Sequence, residues 1–172
     1  MTLEEFLELP ETEPYTELIN GERCQKPVGK KKHSRAATRL IILLAQHPAT
    51  RGGEPRAEQG FRFPRTSRGN LRVPDLCWYA PGVDDETDDS GYPARAPDLA
   101  VEVLSKGQGR AVLEERLAFL RSQGTRCTLL VDPEAGTVTA YEEGREWTVS
   151  GTGEVVLPSL GGFSFRPADL LE

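Results

Sequence analysis

The chain has 172 residues, a formal net charge of −6, 37% hydrophobic and 28% charged residues. That length suits one domain, which buries roughly 70% of the surface exposed by its unfolded chain and so needs no disulfide or metal to hold it together. The acidic balance, with a pI near 5.1, excludes a protein that coats nucleic acid through bulk charge. Cys24, Cys77 and Cys127 are odd in number and form no C-x-x-C pair, which predicts free thiols in a reducing compartment. The glutamate-rich stretch from Leu3 to Leu9 is unlike a signal peptide. The longest apolar run, 40–45, is far short of the about 20 residues that span a bilayer, so no membrane partner and a cytoplasmic location are expected.

Thr2 followed by Glu5 has capping-box spacing and predicts a short helix over Leu3 to Leu9, stopped by Pro10. Tyr15 to Ile19 and Arg23 to Pro27 flank Asn20-Gly21, which accepts the positive φ angles of a tight hairpin. His33 to His47 carries Ala37, Leu40, Ile41 and Leu44 at helical spacing, with Pro48 at the stop. Gln59 to Phe63 and Leu71 to Tyr79 read as strands separated by an Arg-Thr-Ser-Arg-Gly-Asn turn, the second broken near its start by Pro74. Ala80 to Pro97, rich in Gly, Pro and Asp, reads as a long mobile loop. Asp98 to Leu104 is apolar enough for a central strand buried on both faces. Arg110 to Gln123 has Leu113, Leu117 and Leu120 on one helical face and ends at Gly124, and Thr128 to Asp132 is another buried strand. This strand, helix, strand order predicts a right-handed parallel crossover. Thr137 to Tyr141, Arg145 to Ser150 and Glu154 to Leu157 alternate as hairpin strands extending the sheet, and Pro167 to Leu171 closes as a helical turn. The expected fold is a mixed-sheet α/β domain over residues 1–172, with helices flanking a central sheet and β-hairpins added near both termini.

Lys26, Lys30, Lys31, Lys32, Arg35 and Arg39 crowd one segment, while Asp84, Asp85, Glu86, Asp88 and Asp89 crowd another. The first could meet a polyanion, although charge runs are more often a solvated face.

Asp75 follows Pro74, which cannot donate to a sheet ladder, so it stands at a strand start or bulge. Glu102 sits inside Ala100-Val101-Glu102-Val103-Leu104, where a charge is costly unless a metal, a cationic partner or solvent offsets it. Asp98 and Glu102 share a face but lie on the order of 13 Å apart, at about 3.3 Å per residue. Neighbouring strands lie only about 4.8 Å apart, so Asp75 with Glu102 is the better first pair of metal ligands. Magnesium is commonly held by one or two carboxylates with water and phosphate oxygens, which suits such a pair.

Val73-Pro74-Asp75-Leu76, the stretch Pro97-Asp98-Leu99-Ala100-Val101-Glu102-Val103-Leu104-Ser105, and Leu129-Leu130-Val131-Asp132-Pro133 resemble the Uma family of restriction-endonuclease-like proteins. This is a mostly bacterial branch of the PD-(D/E)XK nuclease superfamily. Tyr15-Thr16-Glu17-Leu18-Ile19-Asn20-Gly21-Glu22 resembles the family's opening hairpin, and His33 falls where its first long helix often begins with histidine. The resemblance spans nearly the whole chain. It implies a restriction-endonuclease-like fold and hydrolysis of DNA phosphodiesters with Mg2+ or Mn2+. Carried over by position, Asp75 and Glu102 would be the metal-binding carboxylates, the Val103 carbonyl would complete the shell, and Glu17 would be an outlying acid. His33 would touch phosphate or order a water; its bland alternative is an ordinary exposed residue at a helix start.

The superfamily motif expects lysine two residues after the glutamate, and Leu104 stands there. In the Uma family the lysine looks displaced to the next helix, at the position of Arg116, which keeps the charge but is a poor proton acceptor. Lys106 is a candidate substitute, with a solvated loop lysine as the alternative. Three readings follow: a metal-dependent endonuclease, which as a homodimer could cut both strands; a nuclease fold without turnover that binds nucleic acid or protein; and a scaffold whose carboxylates merely pair with arginines.

Overall fold

The structure is a computed structural model and describes residues 1–63, 66, 68–82 and 91–171. The acidic segment from Asp84 to Asp89, and Arg65 and Ser67 of the expected turn, lie outside the described residues. Helix α1 (Leu3–Leu7) is closed by the expected reciprocal cap: Thr2 Oγ1 accepts from the Glu5 amide at 3.1 Å, and Glu5 Oε2 accepts from the Thr2 amide at 2.8 Å. Strands β1 (Thr16–Ile19) and β2 (Glu22–Gln25) pair antiparallel about Asn20 and Gly21, whose φ angles of 51° and 84° are those a tight primed turn requires. Helix α2 (Lys31–Gln46) buries Ala36, Leu40 and Leu44 and ends before Pro48.

Strand β3 (Glu54–Ala57) follows, then β4 (Phe61–Arg62), β5 (Leu71–Arg72), β6 (Leu76–Tyr79) and β7 (Leu99–Val103). Helix α3 (Arg110–Ser122) leads to β8 (Cys127–Asp132), and the chain closes with β9 (Thr137–Glu142), β10 (Arg145–Ser150), β11 (Val155–Leu157), β12 (Phe163–Phe165) and α4 (Pro167–Leu171). Six strands form the central sheet in the order β10-β9-β8-β7-β6-β3. Among the described residues only β7 and β8 pair in parallel, joined by α3 in the expected crossover. Strand β7 is therefore central. Its residues Leu99, Val101 and Val103 join the core beneath α2, α4 and the β11–β12 ribbon, while Ala100 joins the core beneath α3. The period of two places Glu102 on that α3 side.

Two expectations change, and strand β3 was not foreseen. The expected strand from Leu71 to Tyr79 is two strands in different sheets: β5 lies in a second sheet, β2-β1-β5-β4, and β6 lies in the central one. The chain changes sheet across Val73, Pro74 and Asp75, because proline offers no ladder donor there. The N-terminal hairpin belongs to this second sheet, whereas β9 and β10 do extend the central sheet. Finally, β11 pairs with β12 instead of joining the sheet, and β3 is an edge strand that its polar sequence Glu-Pro-Arg-Ala did not announce. The three cysteines are free thiols, and no helix among the described residues is long and apolar enough to cross a membrane.

The two sheets are tied at one buried side chain. Arg116, on α3, donates from Nε to Glu102 Oε1 of β7 at 2.9 Å and from Nη2 to Glu17 Oε1 of β1 at 2.9 Å. Its Nη1 also donates to Glu17 Oε2, and Nη2 reaches the Val73 carbonyl at 3.2 Å. Removing one member of a buried, hydrogen-bonded ion pair leaves an uncompensated charge and costs about 3–5 kcal/mol. Arg116→Met, which strands Glu17 and Glu102 together, is expected to lower the unfolding free energy by about that much in urea titrations.

Candidate active site

The site forms where β6 begins and β7 ends. Continuing the Leu76↔Val101 register by one step sets Asp75 beside Glu102, and by two steps sets Pro74 beside Val103. Asp75 replaces part of the missing ladder: its Oδ2 accepts from the Val103 amide at 2.7 Å. Pro74 has no N–H to give the Val103 carbonyl, so that oxygen faces a gap in the ladder next to both carboxylates.

Cations and donors converge on Asp75. His33 Nε2 lies 2.8 Å from Oδ2. An ionised carboxylate only accepts, so Nε2 carries the proton in that bond. Lys26 Nζ lies 2.7 Å from Oδ1 and is almost fully buried. Burial opposes ionisation of Asp75, but the His33 hydrogen bond and the Lys26 charge outweigh it and hold the carboxyl well below the usual carboxylate range. Glu102 behaves oppositely. Burial first, and then the adjacent Asp75 charge, push its carboxyl up to about 8 against the pull of Arg116. The Arg116 guanidinium is held above its usual range, because the Glu102 charge and the Glu17 hydrogen bonds outweigh its burial.

The structure thus brings together Asp75, Glu102, Arg116, Glu17, His33 and Val103. Glu17, expected as an outlying acid, is buried within the cluster, grips Arg116 through both oxygens, and accepts from the Val73 amide at 2.6 Å. His33 is the third residue of α2 and is turned inward to Asp75, since the helix begins two residues before it. Lys106 stands apart, exposed in the turn after β7, and among the described residues no hydrogen bond or ion pair joins it to the cluster. Leu104 packs against the core beneath α3. Asp98 occupies the opposite end of β7, where it accepts from the Ala80 amide at 3.0 Å and pairs with Arg95 at 3.2 Å.

Lys26 is the member of the cluster that the sequence hid. It reads as one charge in a basic run, yet it is the member of that run that is buried. Strand period was the available signal. Cys24 pairs with Glu17, and Lys26 lies two residues on, so it shares the Glu17 side of the hairpin.

The oxygen donors at this point are those a hard divalent cation takes: two carboxylates and a carbonyl beside a gap in the ladder. Burial first, and the Asp75 charge second, oppose the ionisation of Glu102, and a cation placed beside the two carboxylates would offset both. Magnesium or manganese would draw on Asp75, Glu102 and the Val103 carbonyl, while among the described residues no three His, Cys, Asp or Glu side chains are grouped as a metal site.

Residues 3–168 match the Uma2 family, described as "Putative restriction endonuclease". Over 99% of this chain and 97% of its own, a crystal structure of "a putative nuclease belonging to DUF820" from Anabaena variabilis ATCC 29413 is similar, with a TM-score of 0.83 and 27% sequence identity. No curated protein matches the chain. With nearly its whole length matched and the fold shared with a relative of that description, the chain belongs to the Uma2 family.

Proposed function

We propose that this protein is a metal-dependent endonuclease that hydrolyses DNA phosphodiester bonds, with Mg2+ or Mn2+ held by Asp75, Glu102 and the Val103 carbonyl. The observation that carries the reading is that Asp75 and Glu102 lie buried close together where β6 begins and β7 ends, with Asp75 held ionised and Glu102 opposed in its ionisation by burial and by the Asp75 charge. The family description and the nuclease-like relative support the same class of reaction. A bound divalent ion would polarise the scissile phosphate and lower the pKa of a bound water.

The protein's own groups prepare that site. Arg116 fixes the Glu102 carboxylate through Oε1, and Glu17 fixes Arg116 in turn. His33 and the Val103 amide set the rotamer of Asp75. Such orientation by secondary partners is what a metal site needs to hold its ligands in place. The exposed Lys30 and Lys31 stand beside His33 at the start of α2, where the helix dipole is also positive, and supply the attraction for a polyanion that the net charge lacks. In the hydrolysis, a bond forms from water oxygen to phosphorus and the phosphorus–oxygen ester bond breaks. The departing sugar oxygen takes up a proton while the attacking water loses one to solvent.

Titration calorimetry with Mn2+, with and without an uncleavable DNA duplex, is expected to show binding by the wild type that is lost in Glu102→Ala. Plasmid cleavage in Mg2+ is expected to fall by at least about 100-fold in Asp75→Ala, in keeping with loss of a group that holds the catalytic charge. DNA binding without cleavage in any divalent metal would instead favour a binding module on the same fold, and cleavage unchanged in Asp75→Ala would reject this assignment of the site.

A further inference from the structure

Resting on that reading, we propose that Gly29 is a positioning residue of the candidate site, because the space left by its missing side chain is where the His33 imidazole lies when it reaches Asp75. Helical side chains lean toward the N-terminus, over the residues three and four positions earlier. His33 is the third residue of α2, so the residue four positions before it, Gly29, lies just outside the helix. A Cβ at position 29 would stand 2.4 Å from His33 Nδ1, 2.8 Å from Cε1 and 3.0 Å from Cγ. Favourable contacts between such atoms begin at about 3.5 Å, so a methyl group there would overlap the ring by roughly 1 Å.

The backbone around Gly29 has little room to absorb that overlap. On one side it is held at Lys26, whose amide donates to the Tyr15 carbonyl at 2.7 Å and whose Nζ pairs with Asp75 at 2.7 Å. Pro27 fixes a further backbone angle. On the other side α2 begins at once, and the Lys30 carbonyl accepts from the Ser34 amide at 3.0 Å. The imidazole is therefore the partner that moves. Its Nε2 lies 2.8 Å from Asp75 Oδ2, and a retreat of roughly 1 Å takes the pair beyond hydrogen-bonding distance.

The backbone itself does not call for glycine at this position. Gly21 and Gly52 adopt left-handed φ angles, whereas Gly29 does not, so alanine suits the chain there and only the ring excludes it. Gly53 comes equally close to a ring, 2.4 Å from Trp78, but that neighbour belongs to the apolar core. Among the described glycines, Gly29 is the one whose close approach is to a member of the Asp75 cluster. Since His33 helps to set the Asp75 rotamer, position 29 acts on that carboxylate through one intervening side chain.

The test is a cycle of wild type, Gly29→Ala, His33→Ala and the double variant. In the metal-free protein the His33 Nε2 proton held by Asp75 gives an imidazole N–H signal in NMR, assigned by its absence from His33→Ala. That signal is expected to be lost in Gly29→Ala while those of His47 stay. Mn2+ affinity and plasmid cleavage are expected to fall about 10-fold in each single variant and no further in the double one, because both changes act through one contact. Gly29→Ala is expected to lower the melting temperature when His33 is present and not when it is alanine, where the stiffer unfolded chain favours the variant. A Gly29→Ala protein that fails to fold is accordingly restored by adding His33→Ala. An imidazole signal retained in Gly29→Ala, or losses that add in the double variant, would overturn the proposal. A wild type that neither binds Mn2+ nor cleaves would bring down the nuclease reading, and the metal-free signal and the melting cycle would still decide whether Gly29 seats His33.

Discussion

One guanidinium makes the rest of the structure possible. Glu17 and Glu102 come from different sheets, both are buried, and neither could stay where it is without Arg116 between them. The planar fork of arginine suits this position, because it presents separate donors to two carboxylates and a backbone carbonyl at once. A lysine ammonium could reach fewer of these acceptors in fixed geometry. Arginine at this helix position therefore gives stiffness, and it serves the cluster as a clamp.

Charge counting across the cluster gives the arrangement its sense. Three carboxylates, Glu17, Asp75 and Glu102, face two permanent cations, Lys26 and Arg116, with His33 donating one hydrogen bond. Burial first, and then the Asp75 charge, oppose the ionisation of Glu102. While Glu102 keeps its proton, two carboxylates face two cations and the cluster balances. Ionising Glu102 calls for one more positive charge, which in the proposed function a divalent ion would supply.

Much of this was legible in the sequence, and the reasons are local. The run Leu99–Val103 could only be a strand buried on both faces, and Glu102 within it could only be compensated. The Asn20-Gly21 turn, the Thr2 cap and the stop at Gly124 are set by backbone preferences that neighbours do not override. The inter-strand pairing of Asp75 with Glu102 followed from spacing alone. What the sequence concealed depends on tertiary context. Leu71 to Tyr79 looks continuous because nothing local says that the chain will change sheets at Pro74. Strands of three or four residues, such as β3 and β12, carry too little periodicity to stand out. Lys26 looked like its neighbours Lys30 to Lys32 because charge runs give no hint of which member turns inward.

The contact between Glu17 and Arg116 joins residues 99 positions apart, and that of His33 with Asp75 joins residues 42 apart. Such long loops are closed late, since their chain entropy must be lost before the contacts can repay it. While a ribosome is still making the chain, the hairpin that carries Glu17 and Lys26 exists without the helix that will anchor it. The carboxylates are then separate solvated side chains with no reason to share an ion. Whatever chemistry the finished cluster performs is withheld until synthesis has passed α3, so maturation of the fold and onset of function become a single event.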